Sequence, residues 1–173
     1  GRWAKLRGKR RILGHEAGVL KVRELVETCA RLEIEALTLY TFSSENWSRP
    51  VSEVNGLMKL FERSIEKYTG LLIDNKVAFK QVGDKLLLPE VLQRKLSQME
   101  AITSENRGLK LTLAIGYGSQ QDIIRAVKLL IDDIDNGKIE MNEINETRFS
   151  KYLSFNQLPK LDLVIRTSGE TRL

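Results

Sequence analysis

The sequence predicts an α/β fold in which a mostly parallel central sheet is covered by helices on both faces. Segments with alternating apolar residues and many β-branched residues take turns along the chain with segments of helical periodicity. Strands that alternate with helices pair in parallel, because each connection crosses the sheet through a helix. The chain has 173 residues, 42% of them hydrophobic. That size suits one core, so we expect a single domain over residues 1–173.

The first half of the chain supplies two helices and one strand. Residues 18–32 carry apolar side chains at helical spacing with charges between them, which indicates an amphipathic helix. Residues 36–42 alternate and are rich in β-branched side chains, so they are expected to form a strand. Large apolar residues then recur at three- and four-residue steps over 52–74, which predicts a long helix. The wide apolar face of that helix fits either ordinary packing or a hydrophobic cavity.

The second half repeats the alternation. Residues 77–82 are predicted to form the second strand, and Pro89 is well placed to begin the next helix. Alternating apolar residues over 109–115 indicate a third strand, and helical periodicity follows over 122–134. Residues 161–165 are apolar and partly β-branched, and they are expected to form a fourth strand.

Polar segments follow all four predicted strands. Ligands bind at the carboxyl ends of the strands in open α/β sheets, so these segments are candidate site loops. They contain hydroxyls, glycines and the arginines Arg49, Arg166 and Arg172. Guanidinium groups bind phosphate oxygens in a planar fork, and glycines leave backbone N–H groups accessible. A single arginine in such a loop is more often an ordinary solvent-exposed residue than a ligand-binding one. Three arginines on strand-end loops together indicate a diphosphate site.

The charge and the titratable residues exclude several other kinds of site. The formal charge is +5, which favours anionic partners without distinguishing phosphates, nucleic acids and membranes. Residues 1–11 hold six Lys and Arg, yet no zinc-finger spacing or RNA-binding aromatic signature follows, so nucleic acid is disfavoured. The single cysteine, Cys29, excludes an internal disulfide and suits a reducing compartment. The only histidine, His15, is a poor metal-ligand candidate, and phosphate bonding or a structural contact remain open.

Four segments carry a likeness to a known family in order and spacing. They are Gly1-Arg-Trp-Ala, Gly14-His15-x-x-Gly18, the run Leu37 to Pro50 that includes Ser-Ser-Glu-Asn-Trp-Ser-Arg-Pro, and Leu163-Val-Ile-Arg-Thr-Ser-Gly-Glu-Thr-Arg172. In this combination the chain resembles the cis-prenyltransferases over essentially its whole length. The resemblance implies a homodimeric transferase that condenses isopentenyl diphosphate with an allylic diphosphate, usually farnesyl diphosphate, to give a cis-polyprenyl diphosphate. It also implies Mg²⁺ as cofactor and an apolar substrate tunnel.

The resemblance assigns roles to individual residues. It implies Asn46 as the catalytic residue that assists proton removal, although a neutral amide is a poor base and would rather orient the substrate or relay the proton. The residues implied in substrate binding are Gly1, Arg2, Trp3, Arg11, His15, Ser43, Ser44, Glu45, Trp47, Arg49, Arg166 and Arg172. The residues implied along the tunnel are Leu57, Leu60, Phe61 and Leu109.

The chain also departs from the family pattern. The family has an Asp-Gly-Asn segment, with a metal-binding aspartate, before the Gly-Arg-Trp, and further residues after Arg172, so no metal ligand is assigned here. We expect residues 1–173 alone to lack condensing activity. A non-catalytic partner subunit of a cis-prenyltransferase complex is the alternative function. The expected location is the cytoplasm, in cell-wall biogenesis, with a plastid as the alternative, and the lipid product would bring peripheral membrane contact.

Overall fold

A computed structural model describes residues 2–167 and has an α/β fold built on a parallel sheet. The strands are β1 (Ala36–Ser43), β2 (Ala78–Val82) and β3 (Lys110–Tyr117). Their order is β1-β3-β2, and β3 pairs in parallel with both neighbours. The predicted fold class and the first three predicted strands are therefore confirmed.

The helices connect these strands in the predicted alternation. They are α1 (Arg2–Lys5), α2 (Arg11–Arg31), α3 (Val51–Asp74), α4 (Glu90–Thr103), α5 (Ser119–Asp135) and α6 (Glu146–Ser150), with short 3₁₀ helices at Ser44–Ser48, Lys85–Leu87 and Met141–Glu143. The helix α2 begins well before the predicted start at residue 18. Its first turns contain charged residues and Gly14, which conceal the apolar periodicity, but they contact the start of α3.

The predicted fourth strand is wrong. Residues 161–165 belong to no strand in the part of the chain that the structure describes, and Leu161, Leu163 and Ile165 are exposed by 78%, 71% and 78%. Apolar and β-branched residues favour a strand only where a neighbouring strand and a packed face are available. Arg166 therefore lies on an extended, exposed segment and does not follow a strand.

The two faces of the sheet are covered to different extents. Helices α2, α3 and α4 pack on one face, where strand residues such as Phe42, Phe79 and Ile115 join a large apolar cluster. The opposite face carries a smaller cluster formed by Val82, Ala114 and Tyr117, with Phe155 packed against it. The main core therefore lies between the sheet and the helices α2 to α4.

Candidate functional site

The carboxyl ends of the three strands meet at one edge of the sheet. The backbone N–H of Asp84, after β2, donates to the carbonyl oxygen of Gly116 in β3 at 3.2 Å. Gly83 has a φ of +115°, and a methyl group there would overlap the carbonyl oxygen of Ile115. A methyl group on Gly118 would overlap the hydroxyl oxygen of Ser44. Glycine at position 83 lets the loop after β2 approach the end of β3, and glycine at position 118 leaves room for Ser44 in the loop after β1.

The loop after β1 is held by its own hydrogen bonds. Ser43 caps the 3₁₀ helix Ser44–Ser48, where its side chain accepts from the backbone N–H of Asn46. In return, the amide oxygen of Asn46 accepts from the backbone N–H of Ser43 at 3.3 Å. The ring of Trp47 packs edge-on against Phe42, with 4.9 Å between ring centroids. The predicted substrate loop therefore has a defined shape, and the oxygen of Asn46 is already engaged.

Three buried side-chain polar atoms in residues 2–167 have no hydrogen-bond partner. They are Nε2 of His15, the hydroxyl oxygen of Ser44 and Nε1 of Trp47. Buried polar groups are nearly always paired, so an unpaired one often indicates the place of a ligand or a water molecule. All three belong to residues that the sequence predicted for substrate binding. This agreement favours a polar ligand at this edge of the sheet.

Three of the predicted residues, His15 among them, meet around one carboxylate. Arg11, at the start of α2, donates through Nη1 to Oε2 of Glu53 at 3.1 Å. Arg49, just before α3, donates through Nη1 to Oε1 of the same carboxylate at 3.2 Å. Nε2 of His15 lies 3.8 Å from Oε1, beyond hydrogen-bonding distance. We call Arg11, His15, Arg49 and Glu53 the cationic cluster.

Burial lowers the pKa of His15 below its ordinary value of 6.5. The positive charge of Arg49 lowers this pKa further, while the carboxylate of Glu53 opposes both effects. His15 is therefore neutral at pH 7. With two arginines and one glutamate, the cluster keeps an excess of positive charge, which suits an anion.

A mostly apolar cavity of about 120 Å³ lies between α2, α3, α4 and the sheet, and no residue of the cationic cluster lines it. On α2, Val19 lies one turn after His15, and Val22 and Val26 continue the same stripe along the cavity. On α3, Phe61 lies two turns after Glu53 and also lines the cavity. The two helices therefore present charge at their starts and an apolar space further along.

The four predicted tunnel residues occupy different places in this region. Phe61 lines the cavity. Leu57 and Leu109 lie in the large apolar cluster, and Leu60 is buried elsewhere on α3, with 8% of its surface exposed. None of these three lines the cavity as it stands. Their role along a tunnel remains a prediction.

The other predicted site residues are less constrained. Trp3 lies in α1, where the guanidinium carbon of Arg7 is 4.5 Å from the centroid of its ring. Glu45 is exposed on the loop after β1, and Arg166 is exposed near the end of the described residues. Arg2 lies in α1, and Gly1 and Arg172 lie outside the described residues. The structure therefore brings together Arg11, His15 and Arg49, but not Arg166 with them.

Glu53 is the residue that the sequence analysis missed. Its spacing of four positions from Arg49 was a usable signal, because residues at i and i+4 are neighbours on a helix. Its contact with Arg11 joins positions 42 residues apart. No sequence periodicity reveals a contact of that kind.

Neither a metal-ligand cluster nor a membrane-spanning helix occurs in residues 2–167. In residues 2–167, no group of three or more His, Cys, Asp or Glu side chains is arranged to hold a metal ion. Within the same residues, no helix is both long enough and apolar enough to cross a membrane.

The sequence matches one known protein family over its whole length. The Prenyltransf family model, described as "Putative undecaprenyl diphosphate synthase", matches residues 1–173. A ditrans,polycis-undecaprenyl-diphosphate synthase ((2E,6E)-farnesyl-diphosphate specific) of Vibrio cholerae is 43% identical over 100% of this chain and 69% of its own length. An isoprenyl transferase of Clostridium perfringens is also 43% identical, over 100% of this chain and 68% of its own length.

Solved structures agree with these sequence relatives. The lavandulyl diphosphate synthase of Lavandula x intermedia, crystallised with dimethylallyl diphosphate, has a TM-score of 0.87 and 30% identity. The alignment covers 91% of this chain and 67% of that protein. A probable undecaprenyl diphosphate synthase of Campylobacter jejuni has a TM-score of 0.69 and 31% identity, over 79% of this chain and 63% of its own.

Proposed function

Because this chain belongs to the undecaprenyl diphosphate synthase family of prenyltransferases, we propose that the protein condenses isopentenyl diphosphate with an allylic diphosphate. The product is a cis-polyprenyl diphosphate, and farnesyl diphosphate is the proposed primer. The Vibrio cholerae relative, whose name specifies farnesyl diphosphate, supports this choice.

One observation carries the proposal: a cationic cluster and an apolar cavity share the same two helices. Arg11 and Arg49 offer guanidinium groups to a diphosphate at the starts of α2 and α3. On α2 the lining of the cavity begins at Val19, two helical turns after Arg11 and one after His15. An allylic diphosphate has the same division into a charged head and an apolar tail, and burial of the tail favours binding.

The substrate roles follow this division. The proposed allylic diphosphate site consists of Gly1, Arg2, Arg11, His15 and Arg49, with Trp3 beside it. Arg166 and Arg172 are proposed to hold isopentenyl diphosphate, and the loop residues Ser43, Ser44, Glu45 and Trp47 to shape the space between the two substrates. The unpaired polar atoms of His15, Ser44 and Trp47 support these assignments.

The chemistry requires stabilisation of negative charge. The allylic carbon–oxygen bond breaks with its electron pair going to the diphosphate, while the double bond of isopentenyl diphosphate forms the new carbon–carbon bond. A proton then leaves the isopentenyl unit and gives the new double bond. Arg11 and Arg49 stabilise the charge that grows on the departing diphosphate. Binding both substrates end to end supplies the orientation.

Asn46 is proposed to orient isopentenyl diphosphate through its amide N–H groups. A neutral amide is a poor base. Its oxygen also accepts the backbone N–H of Ser43, which leaves the N–H groups as the available part of the side chain. The proton would then pass to a diphosphate oxygen, not to Asn46.

Mg²⁺ is proposed as the cofactor because the chain belongs to this family. Residues 2–167 contain no group of three metal-ligating side chains, but Mg²⁺ commonly binds through one or two carboxylates together with the phosphates of a substrate.

The proposed assembly is a homodimer. Support comes from α5, where Ile123, Val127 and Ile131 lie along one stripe and are exposed by 48%, 39% and 48%. The proposed place is the cytoplasm, in cell-wall biogenesis, and a plastid is the alternative. A non-catalytic partner subunit is the second candidate function, but the presence of the cationic cluster disfavours it, because a purely structural subunit needs no diphosphate site.

The test is an assay of the full-length protein with farnesyl diphosphate, labelled isopentenyl diphosphate and Mg²⁺. We expect labelled products longer than the primer, with cis double bonds in the added units by nuclear magnetic resonance. Arg49→Gln should raise the KM for the allylic substrate. A folded, pure protein that forms no condensation product would contradict the proposal and would favour the partner-subunit function.

A further inference from the structure

Gln81 is a buried polar residue near the end of β2, with 7% of its surface exposed. It lies on the same face of the strand as Phe79, where apolar residues are usual, because a buried amide must find partners that replace water. Its Nε2 donates to the carbonyl oxygen of Ile115 at 3.0 Å and to that of Gly83 at 3.4 Å. One side chain therefore joins the end of β3 to the turn after β2.

The carbonyl group of Ile115 lies just beyond the ladder that pairs β2 with β3. The last pair of that ladder is Val82 with Ala114. Buried carbonyl groups are nearly always hydrogen-bonded, so a partner other than β2 backbone is needed at this point. The amide of Gln81 supplies it, and the association of the two strands is extended by one side-chain bond towards the candidate site.

The backbone that Gln81 holds borders the loop after β1. Gly83 and Gly116 have φ values of +115° and +68°, in the left-handed region that other residues rarely adopt, and we call them the glycine turns. A methyl group on Gly116 would lie 3.9 Å from Nε1 of Trp47, and one on Gly118 would overlap the hydroxyl oxygen of Ser44. These two atoms of Trp47 and Ser44 are unpaired and buried. The segment after β3 therefore forms one side of the candidate site.

The backbone of Gln81 is fixed independently of its side chain. Its N–H donates to Oε1 of Glu100 on α4 at 2.7 Å, and Nζ of Lys85 donates to Oε2 of the same carboxylate at 3.1 Å. Two residues earlier on β2, the N–H of Phe79 donates to the hydroxyl oxygen of Thr103 at 3.1 Å. A change limited to the Gln81 side chain should therefore leave β2 attached to α4 and act on the glycine turns.

We propose that Gln81 is a positioning residue that holds the glycine turns together and so fixes the side of the site that borders Ser44 and Trp47. This inference rests on the proposed function, in which the loop after β1 shapes the space between the substrates and Asn46 orients isopentenyl diphosphate. Gln81 acts through two backbone carbonyl groups. Its loss should therefore weaken the use of isopentenyl diphosphate more than that of the allylic substrate, whose diphosphate is received by the cationic cluster.

The experiment measures both KM values of the full-length protein and of two variants, Gln81→Met and Gln81→Glu. Methionine has nearly the same length as glutamine but no N–H donor. We expect Gln81→Met to raise the KM for isopentenyl diphosphate about fivefold or more, as loss of one hydrogen bond would, and to leave the allylic KM within about twofold. An ionised glutamate has the same shape but only acceptors, so Gln81→Glu should raise the first KM at least as much.

The control variant is Thr103→Val, which keeps the size of the side chain and removes its hydroxyl. It takes away the partner of the Phe79 N–H on the same strand, at a distance from the glycine turns. Thr103→Val should lower the unfolding temperature at least as much as Gln81→Met, because a buried donor loses its acceptor, yet change neither KM by more than about twofold. A merely structural role of Gln81 would give both variants the same kinetic result.

Thermal unfolding is measured first, and the assays are run below the lowest unfolding temperature. If Gln81→Met does not fold, Gln81→Ile carries the same comparison, since a β-branched side chain suits a strand and also lacks a donor. An unchanged KM for isopentenyl diphosphate, equal increases in both KM values, or the same increase in Thr103→Val would overturn the positioning role while leaving the proposed function intact. An unaltered protein that forms no prenyl product would overturn the proposed function, and this inference with it.

Discussion

Two poorly exposed carboxylates, Asp122 and Glu53, bind arginines in different ways. Asp122, in the first turn of α5, is 5% exposed and accepts hydrogen bonds from Arg125 at 2.8 Å and from the hydroxyl of Ser154 at 2.7 Å. The backbone N–H of Ser154 adds a third bond at 3.1 Å. Glu53 instead receives one hydrogen bond on each oxygen, from arginines that keep one side towards solvent.

The difference distinguishes a structural ion pair from a candidate ligand site. Arg125, which binds Asp122, also donates a hydrogen bond to the carbonyl oxygen of Tyr152 at 2.8 Å. Its N–H groups are therefore largely used within the protein. The partners of Asp122 therefore join α5 to the segment after α6. The partners of Glu53 retain donors that can bind an anion. We infer that spare donor capacity, more than burial, marks the site in this fold.

The largest expected effect is on stability at Asp122. Asp122→Ala should lower the free energy of unfolding by about 3 kcal/mol, because the donors of Arg125 and Ser154 lose their shared, buried acceptor. Denaturant unfolding measures this loss. Asp133→Ala, also on α5, removes a more exposed pair with Lys138 and should cost under about 1 kcal/mol. Equal losses at the two positions would show that Asp122 is not a structural anchor.

The next effect is a pH dependence at the cationic cluster. The folded-state pKa of His15 is lowered by burial, so the folded protein binds fewer protons than the unfolded chain below pH 6.5. Stability due to His15 is therefore present above pH 6.5 and is lost as the pH falls below it. The slope is at most about 1.4 kcal/mol per pH unit for one proton. Within residues 2–167, the charged groups that act on the pKa of His15 are Glu53, which raises it, and Arg49, which lowers it.

Unfolding curves at several pH values test this dependence. The unaltered protein should lose stability between pH 7 and pH 5 more steeply than His15→Asn, which cannot take up the proton. Parallel curves for the two proteins would show that His15 does not titrate differently in the folded state.

The smallest expected effect is at Tyr117. Its hydroxyl lies 3.4 Å from Asp122, which is long for a hydrogen bond, while its ring packs against Phe155 at 5.1 Å between centroids. Tyr117→Phe keeps the ring and should change the free energy of unfolding by less than about 1 kcal/mol. A loss as large as that of Asp122→Ala would mean that the hydroxyl is a main partner of the carboxylate.

Much of the fold was predictable because local pattern and tertiary packing agree. The strand predicted at 36–42 is Ala36–Ser43, and the helix predicted at 52–74 is Val51–Asp74. The strand predicted at 161–165 is wrong, because its apolar residues find no sheet edge in the described residues. The apolar periodicity of a segment indicates which secondary structure it favours, but a strand forms only where a neighbouring strand is available to pair with it.

The site was predictable as a set of residues but not as an arrangement. The family resemblance implied Arg11, His15 and Arg49 as substrate-binding residues, and the structure brings these three together. The shared carboxylate of Glu53 was missed, since it depends on how α2 packs on α3. The lining of the cavity likewise depends on how α3 packs, because the consecutive residues Leu60 and Phe61 face different directions and only Phe61 lines the cavity.

The most direct test of the central claim compares the two arginines in binding. Calorimetric titration with farnesyl diphosphate would be made on the full-length protein, on Arg49→Gln and on Arg125→Gln, each below its unfolding temperature. We expect Arg49→Gln to weaken binding about tenfold or more, because a charge-assisted hydrogen bond to phosphate is lost. Arg125→Gln should bind as the unaltered protein does, although it unfolds more readily. Unchanged binding by Arg49→Gln, or equal weakening in the two variants, would contradict the assignment of the cationic cluster as the diphosphate site.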